Sequence, residues 1–356
     1  MLYNCTDFIY NNKSLSSFKY KVVSFDNNNE LPLGLERTIE KSQKNRFRVD
    51  SNVYGVTYAN DLEFTISIMK DPCIFMSNSD LQIAEDDLRQ ITKWLTSVSV
   101  PMWLEKKNRD VIDDIRYKGI FTNIEPFFLG ELYGLTLTFS CTSSFGYTHD
   151  KVTEKQVNGI TNFMINNDSD LMENYCYPTI VLKPTTNTDF FLINLSDTEL
   201  KEQGTLENEQ NKMTALQNKI KQFGAKNGFK IRFETEQDGI ITTYCNNRVI
   251  AFYATDSNNK EVKMIAYYTD ENNYHIYQGG YLCLKLFKQL DVQIKSQESK
   301  IYDSLNRPIL FSQLYIRDVD YLYWLRLKSG YNSIMCIAEN CDIKITHIEA
   351  RKVGAY

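Results

Sequence analysis

Nowhere in its 356 residues does the chain carry eighteen consecutive apolar positions, so no segment reads as a membrane-spanning helix. Its first residues, MLYNCTDFIYNNK, are polar throughout and lack the basic-then-apolar order of a secretion signal. Histidine is scarce: there are three, His149, His275 and His347. No serine or cysteine stands in a G-x-S-x-G elbow, so a nucleophilic triad has little to build on. The phosphate and dinucleotide cradles G-x-x-x-x-G-K-[ST] and G-x-G-x-x-G are absent. The eight cysteines are scattered singly. Only Cys336 and Cys341 are close, and C-x4-C without a second pair or a nearby histidine is a poor zinc signature. Most cysteines lie in apolar runs such as SIMCIA, where the thiol serves as a small buried hydrophobe. These absences predict a reduced protein made in the cytoplasm, with no metal, no cofactor and no catalytic residues. Paired acids such as Asp86-Asp87 sit at a helix start, and nothing points to a glycosidase pair.

Charge of the nucleic-acid-binding kind is also missing. The net charge is -5, and no basic stretch alternates with aromatics, which disfavours sequence-specific nucleic-acid binding. An acidic channel wall past which DNA slides stays open.

What is present is enough for real cores, with 42% hydrophobic and 24% charged residues. The length argues for about two domains. FKYKVVSF (18–25), NRFRVDS (45–51) and LEFTISIMKD (62–71) read as strands, the last alternating apolar and polar. DLQIAEDDLRQITKWLTS (80–97) then changes period. Leu88, Ile91 and Leu95 share one helical face, and Glu85, Asp86 and Asp87 sit in the first turn, where the helix dipole favours acids. Pro101 helps end that helix, and PMWLE, YKGIFTNIEPFFLG and ELYGLTLTFSC follow as strands. SSFGYTHDK (143–151) reads as a domain boundary.

Strands resume at YPTIVLKP and DFFLINLSD. A helical period returns over 206–223 through Met213, Leu216, Ile220 and Phe223, with Gly224 and Gly228 placed for a C-cap. FKIRFE, GIITTYC, RVIAFYAT, VKMIAYYT and YHIYQGG form a meander joined by CNNR, DSNNK and DENN, which have hairpin composition. Gly279-Gly280 reads as a turn, and LYWLRLKSGYNSIMCIAEN and CDIKITHIEARKVG read as closing strands. VDYLYWLRL fits either a sugar-binding face or, more simply, a sandwich core.

One order of elements goes further. A strand ending VVSFD, then FTISIMKD, an acidic helix closing on ITKWLTS, PMWLE, and YKGIFTNIEPFFLGELYGLTLTFSCTSSFGY together resemble the distal tail proteins of long non-contractile-tailed phages. At the other end, YWLRLKSGYNSIMCIAENCDIKITHIEARKVG resembles the last strands of that family's galectin-like sandwich, with its Trp-x-Arg-Leu strand, Gly-x-Asn turn and terminal Arg-Lys-x-Gly. The resemblance covers about 1–200 and 281–356. It departs at 205–280, where the family runs directly from an INLSD-like to an LDVQIKS-like strand.

The fold implied is mainly β. An N-terminal β-sandwich with one amphipathic helix, the ring-forming domain, spans 1–145. A galectin-like β-sandwich spans 146–204 and 281–356, and an inserted α+β module spans 205–280. The function implied is structural: a homo-hexameric ring at the tail tip, in the virion, joining the tail tube to the hub around the DNA passage. Its partners would be the major tail tube protein, the tail-tip hub protein, the tape measure protein and a receptor-binding protein or cell-surface carbohydrate. Leu88, Ile91 and Leu95 would bury on the sandwich. Trp94 and Trp103 would lie at the subunit seam or close the monomer's own core. In the insert, Tyr267, Tyr268, Tyr274 and Tyr277 crowd a polar hairpin, a candidate receptor or glycan contact, against docking or spacer roles. The rival for the whole chain is a carbohydrate-binding β-sandwich protein acting in host cell-surface recognition.

Overall fold

A computed structural model describes residues 5–23, 37–41, 53–58, 60–108, 111–171, 174–206, 211–235, 238–316 and 322–352. The chain is mainly β, as its alternating runs predict, and divides into two compact units: 1–149 with 349–356, and 150–348.

In unit 1, a nine-stranded antiparallel sheet runs in the order Lys13–Ser14, Asp7–Tyr10, Met102–Asn108, Val111–Leu129, Glu131–Cys141, Glu63–Lys70, Tyr20–Val23. Gly146–Thr148 adds to Val111–Leu129 and carries Ala350–Arg351 on its other side. Alternation sets the inner face: Phe64, Ile66 and Ile68 are buried while Glu63 and Thr65 are exposed. These side chains meet Phe8, Tyr10, Leu104, Leu135, Leu137 and Phe139 in one core, and helix α1 (Glu85–Thr96) lies on it.

Two strand readings change here. FKYKVVSF opens as a 3-10 turn over Leu15–Phe18, with Lys19 left-handed at φ 64, and only Tyr20–Val23 is strand. The turn brings Ser14 and Ser16 to the Asp7 carboxylate, contacts that a straight strand would not make. NRFRVDS and the end of VVSFD lie outside the described residues.

In unit 2, a seven-stranded sheet runs Tyr281–Leu286, Thr188–Asn194, Gly330–His347, Thr179–Pro184, Val292–Lys295, Lys300–Asp303, and Lys151–Asn167 pairs along the other edge of Gly330–His347. The register of those two long strands slips between Val157 and Gly159, and Asn340 is left-handed at φ 49. The sheet bends there and closes over a core of Phe190, Leu192, Leu282, Leu284, Ile334, Ile343 and Ile345.

A second, six-stranded sheet runs Glu199–Thr205, Asn273–Gln278, Glu261–Tyr268, Val249–Thr255, Lys230–Phe233, with Thr243–Tyr244 on Val249–Thr255. Helix α2 (Lys212–Asn227) covers one face through Leu216, Ile220 and Phe223 against Phe252, Met264 and Ile276. The other face packs Val249, Ala251, Ile265, Tyr267 and Tyr277 on Phe191, Ile193, Met335 and Ile337 of the sandwich. Both faces are therefore dry, which explains why VIAFYAT is apolar at nearly every position instead of alternating.

α2 starts later than the period predicts. Asn211 caps it, its side chain accepting from the Thr214 N–H at 3.2 Å, and Gly228 at φ 71 ends it. Gly224 stays within the helix, and it must be glycine because Ile231 packs where a side chain would stand. GIITTYC gives only the short strand Thr243–Tyr244. Residues 322–326, the expected Trp-x-Arg-Leu strand, are irregular, and only Leu327 makes a bridge, to Cys176. The side chains there are satisfied laterally instead: Arg326 stacks on Tyr175 at 4.0 Å and donates to Asp197 at 2.6 Å.

Candidate assembly and contact surfaces

The acids Glu85, Asp86 and Asp87 and the late Lys93 follow the dipole of α1, and Lys70 pairs with Asp87 at 2.7 Å. Its inner face buries Ile91, Trp94 and Leu95, with Leu88 half-buried beside them. The Trp94 ring lies between Phe18 (4.7 Å, 21°) and Phe8 (5.7 Å, 10°), and its Nε1–H donates to the Tyr10 carbonyl at 3.0 Å. That satisfies both parts of the indole, the apolar ring and the polar N–H, inside its own unit.

Trp103 points the other way. Leu104 faces the core with Trp94, so its strand neighbour Trp103 faces outward. There the Arg116 guanidinium lies 4.1 Å from the Trp103 ring, and Tyr147 meets it edge-on at 5.7 Å. The sheet thus separates the two tryptophans.

The strands Val111–Leu129 and Glu131–Cys141 form a long hairpin turning at Gly130, whose φ of 83 suits glycine. The residues just before the turn, Phe128 and Leu129, are 61% and 68% exposed. Ile74, Met76, Val100 and Val111 of the same unit are exposed too. Periodicity did not single these out: Phe128, Leu129 and Val111 follow the strand pattern, while Ile74, Met76 and Val100 lie in turns or irregular chain.

The insert tyrosines divide between faces. Tyr267 and Tyr277 lie parallel at 6.1 Å in the core against the sandwich, with His275 stacked beside them. Tyr268 and Tyr274 face α2, where Tyr274 donates to Glu202 at 2.9 Å. Tyr267, Tyr274 and Tyr277 are buried and Tyr268 is partly so. Burial and the Glu202 carboxylate push the Tyr274 hydroxyl up to about 12. Burial also lowers the His275 imidazole below its usual value.

His149 contacts the Asp113 carbonyl in unit 1, and His275 and His347 lie in separate strands of unit 2. Burial raises the Cys141 and Cys341 thiols to about 12. Among the described residues, no group of three or more His, Cys, Asp and Glu is placed to hold a metal. No described helix is long and apolar enough to cross a membrane.

Residues 3–143 match a family model described as a phage tail protein N-terminal domain. Those residues, about two-fifths of the chain, are similar to that domain. Over nearly its whole length the chain also has the fold of the Dit protein of phage SPP1, described as a paradigm of the hub adsorption apparatus in phages infecting Gram-positive bacteria. The TM-score is 0.50 at 10% identity, covering 96% of this chain and 98% of that one. A chain of the phage P2 baseplate in its activated conformation aligns at a TM-score of 0.41 and 9% identity, covering 98% and 99%. No curated protein sequence matches. The matched residues contain α1, both tryptophans discussed above and the exposed hairpin tip.

Proposed function

We propose that the chain forms a closed hexameric ring at the tip of the phage tail. It would join the major tail tube protein to the tail-tip hub, around the passage for DNA and the tape measure protein, and would anchor a receptor-binding component. The observation that carries this reading is the apolar hairpin tip of the phage tail domain. Exposed Phe128 and Leu129 gain little in a monomer, and an apolar projection of this kind fits a neighbour. A projecting tip that enters a different surface of the next copy makes a heterologous contact, and such contacts form a ring when the rotation between copies closes. Trp103, with its cation cover, is the second candidate for that seam; Leu88, Ile91, Trp94 and Leu95 support it from within the unit.

For the insert we propose a docking platform or spacer. Three of its four candidate tyrosines are buried, which supports that role over a glycan contact through their rings.

Light scattering on the purified chain at several concentrations tests the ring. The expected species has six times the chain mass of 41.6 kDa. Phe128→Ser with Leu129→Ser is expected to leave a folded monomer. A wild-type chain that stays monomeric at every concentration, and on its hub partner, would sink the reading.

A further inference from the structure

One outer face of the unit 2 sandwich carries a built groove. Along five neighbouring strands Val157, Ile180, Leu182, Val292, Ile294, Ile301, Ile343 and Ile345 point into the core, so the residues between them point outward. Register aligns one outward row straight across the strands. Glu154 stands opposite Lys344, Lys344 opposite Val181, Val181 opposite Gln293, and Gln293 opposite Tyr302. A second row sets Gln156 opposite Asp342 and Asp342 opposite Lys183. A cavity of about 350 Å³ lies on these rows, lined by Glu154, Gln156, Val181, Lys183, Asp342 and Lys344 together with Lys155 and Ile343. At roughly 4.8 Å per strand spacing, the longer row spans about 19 Å.

The lining decides the ligand class. Glu154 and Asp342 are acceptors, Lys183 and Lys344 are donors, and the Gln156 amide is both. Lys344 and Glu154 are 3.2 Å apart, and both remain accessible. A protein partner wants an apolar centre, and of the two apolar lining residues Ile343 is buried, which leaves Val181. A polyanion wants charge of one sign, whereas acids here stand between the lysines. A sugar hydroxyl, by contrast, donates to a carboxylate and accepts from an ammonium at once, and both bonds are strengthened by the charge. A concave site with a few convergent polar groups is also the usual form of a small-ligand site.

We propose that this groove binds a neutral, hydroxyl-rich glycan, with Glu154 and Asp342 accepting from its hydroxyls and Lys183 and Lys344 donating to them. The proposal deepens the tail-tip reading and rests on it, since it would place a cell-surface contact on the adsorption component itself.

The test uses the full chain on an array of neutral glucose-, galactose-, rhamnose- and N-acetylglucosamine-based oligosaccharides, followed by titration calorimetry with the best binder. Binding is expected, and Asp342→Ala or Lys183→Ala, both exposed positions, should weaken it at least tenfold while thermal unfolding and oligomer mass stay unchanged. Asp342→Asn, which keeps one acceptor oxygen, should fall between. Silence across the array overturns the proposal. So does binding that these variants leave intact, which would locate the site elsewhere, or binding confined to anionic polymers and abolished by salt. A hexamer that binds no glycan defeats this proposal alone; a monomer that binds through Asp342 defeats only the ring.

Discussion

Trp94 shows how one side chain can meet two needs at once. Its ring fills the space between Phe8 and Phe18 while its N–H reaches the Tyr10 carbonyl. Trp94→Ala therefore leaves a cavity and removes the hydrogen bond to the Tyr10 carbonyl, and should cost about 3–5 kcal/mol of stability, read as a lower denaturation midpoint. Trp103→Ala, at a half-buried outward position, should cost less stability and show its effect in the mass of the assembly. His275 gives a pH prediction. Its folded pKa is lowered by burial, so the unfolded chain takes up the proton first. Stability is then fully present above about pH 6.5 and falls as pH drops towards the folded value. His275→Gln should flatten that part of a stability–pH profile. Among the cysteines only Cys73 is exposed, so a thiol reagent should label it first under native conditions, with Cys245 and Cys336 reacting only on unfolding.

At the scale of elements, the insert is tied to its sandwich by its packed sheet face and by the root where the chain enters and leaves it. The chain leaves through Asp197, which accepts from Arg326 and from the Tyr323 hydroxyl at 3.1 Å, and returns through Gly279 and Gly280. A Cβ on Gly280 would collide with the Tyr323 ring. Gly280→Ala should therefore cost about 1–3 kcal/mol by overpacking, read as a lower melting temperature, whereas Gly239→Ala, open on all sides, tests only backbone strain. The pattern of the root was half legible. Gly279-Gly280 marked a turn, but the need for glycine there comes from Tyr323, more than forty positions away in sequence. The strand expected over 322–326 failed for the same reason: alternating Tyr, Leu and Trp look alike whether a ladder or lateral side-chain contacts satisfy them.

Taken whole, unit 2 is three layers deep at the insert: α2, the six-stranded sheet, and the sandwich. Replacing 199–280 by a short linker would uncover Phe191, Ile193, Met335 and Ile337. Such a chain should aggregate or bind a hydrophobic dye strongly. A soluble, dye-silent product would mean that this apolar face needs no cover.

Sequence by itself determined the class of the molecule. Period-2 runs such as EFTISIMK, the 3.6-period helix through Ile91 and Leu95, and the continuous apolar run VIAFYAT each report local burial, and burial follows from side-chain chemistry and backbone geometry alone. The order of those elements also carried the likeness to phage tail proteins. Only the tertiary structure decided which apolar surfaces meet. Tyr267 and Tyr274 have the same composition around them, yet one faces the sandwich and the other α2. Phe128 and Phe64 both sit in strands, yet one has a partner and one does not. The row from Glu154 to Tyr302 joins residues from five strands, and a register spanning nearly 200 positions is written in no local pattern. Contacts of that kind depend on which segments the folded chain brings together.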